Sequence, residues 1–257
     1  MDFQLPEPSL PNGAVPVFPL GGVFLFPHQV LPLHIFEPRY RDMVADLLDG
    51  PGRLVIASPL IGESETDDHV PEIVPVGGLG EILRHEKHPD GRYSIWVLGV
   101  ARVHIQEVPS DKLYRQVEVL PFVETDVPEE TAFGLAEELR EAATARLKEP
   151  LPLPDSTPPG LLADLLMQTL QAPRSLIERV YAEPDVEERA RMALREANRG
   201  DGPDVGRPDL GSEDLADGKA EVDLQEFDGD APDRGDGQPN NEPDQDASDG
   251  DHGPSQS

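Results

Sequence analysis

The chain of 257 residues carries 51 Asp and Glu against 21 Lys and Arg, a formal net charge of −30. Such a surface repels phosphate backbones and anionic lipid and lacks the basic footprint of a nucleic-acid binder. With no cysteine, the chain has no disulfide, no thiolate metal ligand and no cysteine nucleophile.

Residues 1–12 are polar and proline-bearing and read as a loose lead-in. MDFQLPEPSLPNG has neither the basic start nor the apolar core of a signal peptide. Ala14 to Leu20 is the first expected strand, with Pro16 and Pro19 pointing to an edge position or a bulge. Gly21–Gly22 allows a turn. Val23 to Phe26 then places Phe24 and Phe26 on a loop or short strand. Exposed aromatic residues grouped in this way suggest a contact site; the alternative is that they fold under the barrel as a lid for its core. Val30 to Phe36 reads as a strand with Leu31, Leu33 and Ile35 on one face. From Pro38 to Leu48 the apolar residues Tyr40, Met43, Val44, Leu47 and Leu48 fall at i, i+3, i+4, i+7 and i+8, one buried helical face. Pro38 suits the first turn, where its missing N–H would be unpaired anyway. Gly50 suits a left-handed C-terminal cap. Arg53 to Ser58 returns as a strand.

This stretch carries a family resemblance. VFPLGGVFLFPHQVLPLHIFEPRYRDMV resembles the opening of the Lon N-terminal domain, the substrate-recognition part of the ATP-dependent Lon protease. The specific feature is the combination of FPL, a short apolar loop, and LPLHIFEPRYR with a helix behind it. The resemblance continues less tightly through GRYSIWVLGVARVHIQEV at 91–108 and a helical part to about Asn198, covering residues 13–198. It implies a small PUA-like β-barrel, similar to a fold also used in RNA modification enzymes. It also implies recognition of polypeptide through exposed hydrophobic surface. A full Lon protease adds an ATPase module and a serine–lysine pair. Here no G-x-x-x-x-G-K-[ST] occurs, and the chain reads as the recognition part alone.

Gly62 to Val70 is expected as a charged loop. Gly77-Gly78-Leu79-Gly80 lacks the phosphate-binding lysine and leads into a strand, so it reads as a bend. Gly80–Glu86 and Arg92–Leu98 form a hairpin about His88-Pro89-Asp90-Gly91. Gly99 punctuates the second strand, which is apolar on both faces and therefore central. Ala101–Val108 turns Val103 and Ile105 inward and Arg102, His104 and Gln106 outward. Tyr114–Leu120 repeats the pattern with Val117 and Val119. Six or seven short strands and one helix suggest a partly closed barrel.

The period then changes. Asp126 with Glu129 has capping-box spacing before a helix running to about Lys148, with Leu135, Leu139, Ala142, Ala143 and Leu147 as its apolar face. A proline-rich connection, 149–160, leads to a helix begun by Thr157-Pro158, with a leucine stripe at 161, 162, 165, 166 and 170. Ala172-Pro173 breaks it, Arg174–Tyr181 is a third helix, and Asp185 with Glu188 caps a fourth ending near Asn198. Residues 201–257 hold 18 acidic and 3 basic side chains with almost nothing to bury, and read as disordered. Within them, 222–227 (VDLQEF) could form a short docking segment.

Chemistry is sparse. No serine lies in a G-x-S-x-G elbow, and Lys112 and Lys148 form no recognisable dyad with a serine. No histidine pair has metal-ligand spacing. His85 and His88 with Glu86 at the hairpin tip, and His69 beside Asp67 and Asp68, read as solvated. His34, inside LPLHIFEP, is expected to fix the strand-to-helix corner, with Glu37 and Arg39 as partners.

The expectation is therefore an α+β chain: a loose N-terminus (1–12), a PUA-like β-barrel with one inserted helix (13–124), a short helical bundle (125–199) and a disordered acidic tail (200–257). Its expected function is non-catalytic binding of unfolded polypeptide or of a specific protein partner, as an adaptor in protein quality control. No cofactor, metal, nucleic acid or membrane is expected, and the compartment is expected to be the cytoplasm. Phe24 and Phe26 are the candidate binding residues, the cleft between barrel and helices a second site. The alternatives are a stand-alone Lon-like peptidase and an RNA-binding module. A contiguous basic patch around Arg84, Lys87 and Arg92 would favour the latter.

Overall fold

A computed structural model describes residues 9–60, 71–147 and 153–199, together with the backbone of Ala220–Glu221. The loop at 62–70, part of the proline-rich connection and the segment 222–227 lie outside the described residues. So does the rest of the acidic tail.

The first half builds a mixed sheet from β1 (Val15–Pro19), β2 (Val30–Ile35), β3 (Arg53–Ala57), β4 (Val76–Lys87), β5 (Tyr93–Val108) and β6 (Gln116–Pro121). Helix α1 (Pro38–Leu48) is inserted between β2 and β3. Five strands pair in the cyclic order β4-β3-β1-β6-β5, with β5 returning to β4. β1 and β3 run parallel and the other pairs antiparallel. The ring is nearly closed, its seam between β1 and β6 resting on Val15↔Val117, Pro16↔Gln116 and the Val17 N–H bond to the Arg115 carbonyl.

β5 makes this geometry possible. Its 16 residues pair with β4 along one edge, while the other edge takes β2 over Tyr93–Leu98 and β6 over Val103–Val108. Gly99 does not end the strand, as the sequence suggested, but lies inside it. Leu79 faces Ala101 and Gly80 faces Gly99, so Val100 is the extra residue of a bulge that bends β5 from one partner to the next.

β1 is interior rather than an edge strand, yet tolerates both prolines for a local reason. Val17 N–H donates to Arg115 on the β6 side, and Leu20 N–H to Ala57 on the β3 side. By alternation Pro16 would donate toward β3, where pairing begins only at Val17. Pro19 would donate toward β6, where it has already ended.

Val17, Val55, Leu79, Val103 and Val117, one from each ring strand, form a single buried cluster. On the other face Phe18, Leu33, Ile35, Leu54 and Ile56 pack against Tyr40, Met43, Val44 and Leu47 of α1. The helix therefore plugs one side of the sheet with the stripe read from its spacing. Its exit turn differs, because the left-handed glycine is Gly52 (φ 68°) and not Gly50.

The second half folds as α2 (Glu129–Thr144), α3 (Pro159–Thr169), α4 (Arg174–Tyr181) and α5 (Val186–Asn198). Asp185 Oδ1 accepts the Glu188 N–H at 3.0 Å, the expected cap. α2 instead starts from Pro128 without a side-chain cap. Leu135, Leu139, Leu162, Leu166, Val180 and Ala193 are buried together in the bundle core.

A candidate binding groove between barrel and helices

The connection from β1 to β2 is what joins the two halves. Its backbone lies directly on β4 and β5, at glycines that leave room for nothing else. A Cβ on Gly99 would come 2.0 Å from the Phe26 carbonyl oxygen, and one on Gly78 would come 2.5 Å from that of Leu25. Tyr181, at the end of α4, donates its hydroxyl to the Leu25 carbonyl at 2.7 Å. Burial pushes the Tyr181 phenol up from its ordinary value, which keeps it a donor. Phe24 and Phe26, 8 % and 4 % exposed, flank the Tyr181 ring at centroid distances of 5.3 and 5.1 Å. Both rings thus lie beneath the surface between the halves, and not on the exposed loop that would have made them a contact site.

Beside them lies a buried ionic cluster. Arg102 is on the outward face of β5, as its alternation with Val103 predicts, but outward there means toward the bundle. Its Nη2 donates to Asp164 Oδ1 of α3 at 2.5 Å, and its Nη1 to Glu124 at 3.2 Å. Arg189 of α5 reaches Glu124 with both terminal nitrogens, at 2.7 and 3.1 Å. Its Nε lies 3.4 Å from Asp164 Oδ1. Arg102, Asp164 and Arg189 are buried, whereas the Glu124 side chain stays 34 % exposed. Burial opposes the Arg102 charge, but the adjacent Asp164 carboxylate outweighs it and the guanidinium is held more basic than usual. The guanidinium also lies over the Tyr181 ring, 5.0 Å from its centroid.

Above this cluster opens a groove of about 1040 Å³, lined from the barrel side by Val100, Ala101, Phe122 and Val123, from the connection before α2 by Val127, and from α3 and α5 by Leu161 and Val186. Glu124, Asp126 and Glu129 add acidic groups to the lining. Val123 is 76 % exposed. His28, also in the lining, adopts φ 65°, a conformation unusual for a residue with a side chain. Its N–H donates to the Gly99 carbonyl at 2.8 Å.

The other sequence candidates lie elsewhere. Arg39 Nε donates to Glu37 Oε2 at 3.0 Å at the start of α1. His34 Nδ1 is 3.4 Å from Ser94 Oγ, which His88 Nε2 approaches to 2.8 Å. Arg84 stacks over Trp96, Lys87 over Tyr93, and Arg92 pairs with Asp90. Among the described residues no group of three or more His, Asp or Glu could hold a metal ion. No helix among them is long and apolar enough to cross a membrane.

Sequence reasoning named the cleft but none of its charged residues. Arg102 alternated correctly with buried Val103, and Asp164 interrupted a leucine stripe. Only the second was a signal, since a carboxylate flanked by Ala163, Leu162 and Leu165 is an unusual neighbour for a buried face.

The same architecture occurs in solved structures. The N-terminal domain of the Mycobacterium avium complex Lon protease superposes with a TM-score of 0.55 at 19% identity, covering 73% of this chain and 100% of that one. The Lon N-terminal domain protein from Xanthomonas campestris gives 0.53 at 20%, covering 72% and 98%. In sequence, the Lon protease of Desulfosudis oleivorans is 21% identical over 203 residues, which are 76% of this chain and 24% of that protein. The Lon protease of Desulfovibrio desulfuricans is 31% identical over 181 residues, 68% and 19% respectively. The chain thus spans about a quarter or less of these relatives' length. Residues 14–199 match the family described as the ATP-dependent protease La (LON) substrate-binding domain. A match over most of the chain, with the fold that goes with it, makes this chain a member of the LON substrate-binding domain family.

Proposed function

We propose that the chain is a non-catalytic polypeptide-binding module, and that an extended segment of its client lies in the groove between barrel and bundle. The observation that carries this reading is the groove itself, with apolar walls, an acidic lining and a floor held rigid by the Arg102–Asp164–Arg189–Glu124 cluster. Its volume is at the upper end for clefts that enclose a drug-sized ligand, room for several residues of extended chain. Apolar walls bury client side chains, and the carboxylates favour Lys or Arg beside them. The family description, a substrate-binding domain, supports the same class of partner. In this reading Phe24 and Phe26 brace the groove from behind, and His34, Glu37 and Arg39 hold the strand-to-helix corner. The RNA-binding alternative, suggested by the PUA-like character of the barrel, is disfavoured because Arg92 pairs with Asp90 and the chain is strongly acidic. An adaptor role beside a protease follows from the same reading.

The test is fluorescence anisotropy of a labelled unfolded polypeptide with the full chain, without nucleotide. Val123→Asp and Leu161→Asp should each weaken saturable binding at least about tenfold, roughly 1.4 kcal/mol, with unchanged circular dichroism. Added salt should weaken the binding of basic clients most. No saturable binding by the unsubstituted protein rejects the receptor reading. Binding untouched by both substitutions places the site elsewhere.

A further inference from the structure

We infer that the seam of the ring, where β6 parts from β1, is where the backbone of a client segment adds to the sheet, displacing the chain's own Leu10. The inference rests on the groove being the client's place, because the seam opens into it: Leu10 and Pro121 both line the groove. Antiparallel strands turn alternate residues toward opposite neighbours. Val17 N–H donates to the Arg115 carbonyl and Val15 pairs with Val117, so the odd-numbered residues of β6 present their N–H and C=O toward β1. The even-numbered ones, Gln116, Glu118 and Leu120, present theirs toward β5. Pairing with β1 ends at Val117, which leaves the N–H and C=O of Val119 and the C=O of Pro121 without a partner among the described residues. Such a row is a template for another strand.

The path of the lead-in explains why the row is left open. Continued backward, the register of β1 would set Gly13 against Val119 and Pro11 against Pro121. Gly13 instead adopts φ 101°, a conformation open to glycine, and turns the chain off the line of the strand. Ser9 is then held by β3, its carbonyl accepting from Arg53 Nη1 at 2.6 Å. Between these two points Leu10 packs against the inner cluster of the ring, as do Ile105 and Val119. The barrel mouth at the seam therefore takes an apolar side chain, and Leu10 fills it without pairing to β6. A client strand entering in line with β1 sets its residue opposite Val119 on that same face, in the place of Leu10. Its neighbour opposite Leu120 falls on the outer face, beside a leucine that is 54 % exposed. Pro121 has no N–H to extend the ladder, so the client leaves the sheet there and continues along Phe122 and Val123 in the groove. The ligand class is thus an extended segment with apolar residues on both faces. In folded proteins such segments are buried strands, so the edge selects polypeptide that has unfolded.

Amide hydrogen exchange on the full chain tests it, with a labelled unfolded polypeptide rich in valine, leucine and lysine whose binding is followed by anisotropy. The polypeptide should slow exchange of the Val119 N–H at least about tenfold. The Leu120 N–H, turned toward β5, should keep its rate and so report an unchanged barrel. Val119→Pro removes the outward donor without removing a ladder bond, and should weaken binding at least about fivefold, the worth of one hydrogen bond, with unchanged circular dichroism. Val119→Ala, which keeps the N–H, should weaken it less. Leu10→Ser, which empties the mouth, should tighten binding. Saturable binding that leaves the Val119 exchange rate unchanged, or that Val119→Pro does not weaken, overturns the inference and leaves the groove reading standing. A Val119 N–H already as protected as that of Leu120 in the free chain also overturns it, since the edge is then paired. Binding by Leu10→Ser no tighter than by the unsubstituted chain overturns the displacement of Leu10. No saturable binding at all rejects the receptor reading, and the seam site with it.

Discussion

Asp164 pairs with Arg102 of the barrel and Arg189 of the bundle where the two halves meet. It is buried on an otherwise apolar helix face, beside two buried arginines that have only Glu124 as a further carboxylate partner in the cluster. The Nε atoms of both arginines already lack a hydrogen-bond partner, so the cluster has no spare acceptor. Replacing one member of a buried pair strands the other's charge, whereas replacing both by apolar residues removes that penalty. Asp164→Leu should therefore lower unfolding free energy by about 3–5 kcal/mol in urea denaturation. Asp164→Leu combined with Arg102→Met should cost clearly less than Asp164→Leu alone. Equal losses in the two proteins would mean that the ion pair is not what the site depends on. Periodicity could not reveal this cluster. It shows which face of a helix or strand is apolar, while the partners here are 62 and 25 residues apart along the chain and meet only when the bundle docks.

At the scale of elements, the β1–β2 connection and the glycines beneath it decide how closely the two halves approach. Gly99 and Gly78 were legible as punctuation, but their reason is not turn formation. Each lies in a strand where another backbone crosses at contact distance. Gly99→Ala should accordingly destabilise by about 2–3 kcal/mol, the upper range for overpacking, because the obstructing atoms belong to the backbone. Gly134 is the contrasting case. It lies inside α2 with nothing within 4 Å of an added Cβ, so Gly134→Ala should stabilise by about 0.5–1 kcal/mol. Thermal unfolding of the two variants, measured side by side, separates glycine required by packing from glycine that is merely present. α1 shows the opposite situation, in which local information suffices: its apolar stripe, first-turn proline and length all survive in the structure.

For the molecule as a whole, barrel and bundle share one interface made of Tyr181, Phe24, Phe26 and the ionic cluster, with Arg174 of α4 donating to Ser58 after β3 at 2.7 Å. Coupling of this kind should make the two halves unfold together. Trp96, the chain's one tryptophan, reports on the barrel, and far-ultraviolet circular dichroism is dominated by the helices. The two denaturation curves should coincide in the unsubstituted protein and separate in Tyr181→Ala, the bundle signal changing first. Separate transitions in the unsubstituted protein would show that the interface is too weak to couple them. The sequence by itself determined the family, the order of strands and helices, the α1 stripe, the α5 cap and the acidic bias. The family is carried by the resemblance of the string at 17–44, and the others are set by residues within a few positions of one another or by composition. Tertiary structure alone decided that Phe24 and Phe26 are covered, that Arg102 faces protein rather than water, and that β5 serves three partners through a bulge. A side chain's period states which way it points, but what waits there depends on how distant segments pack.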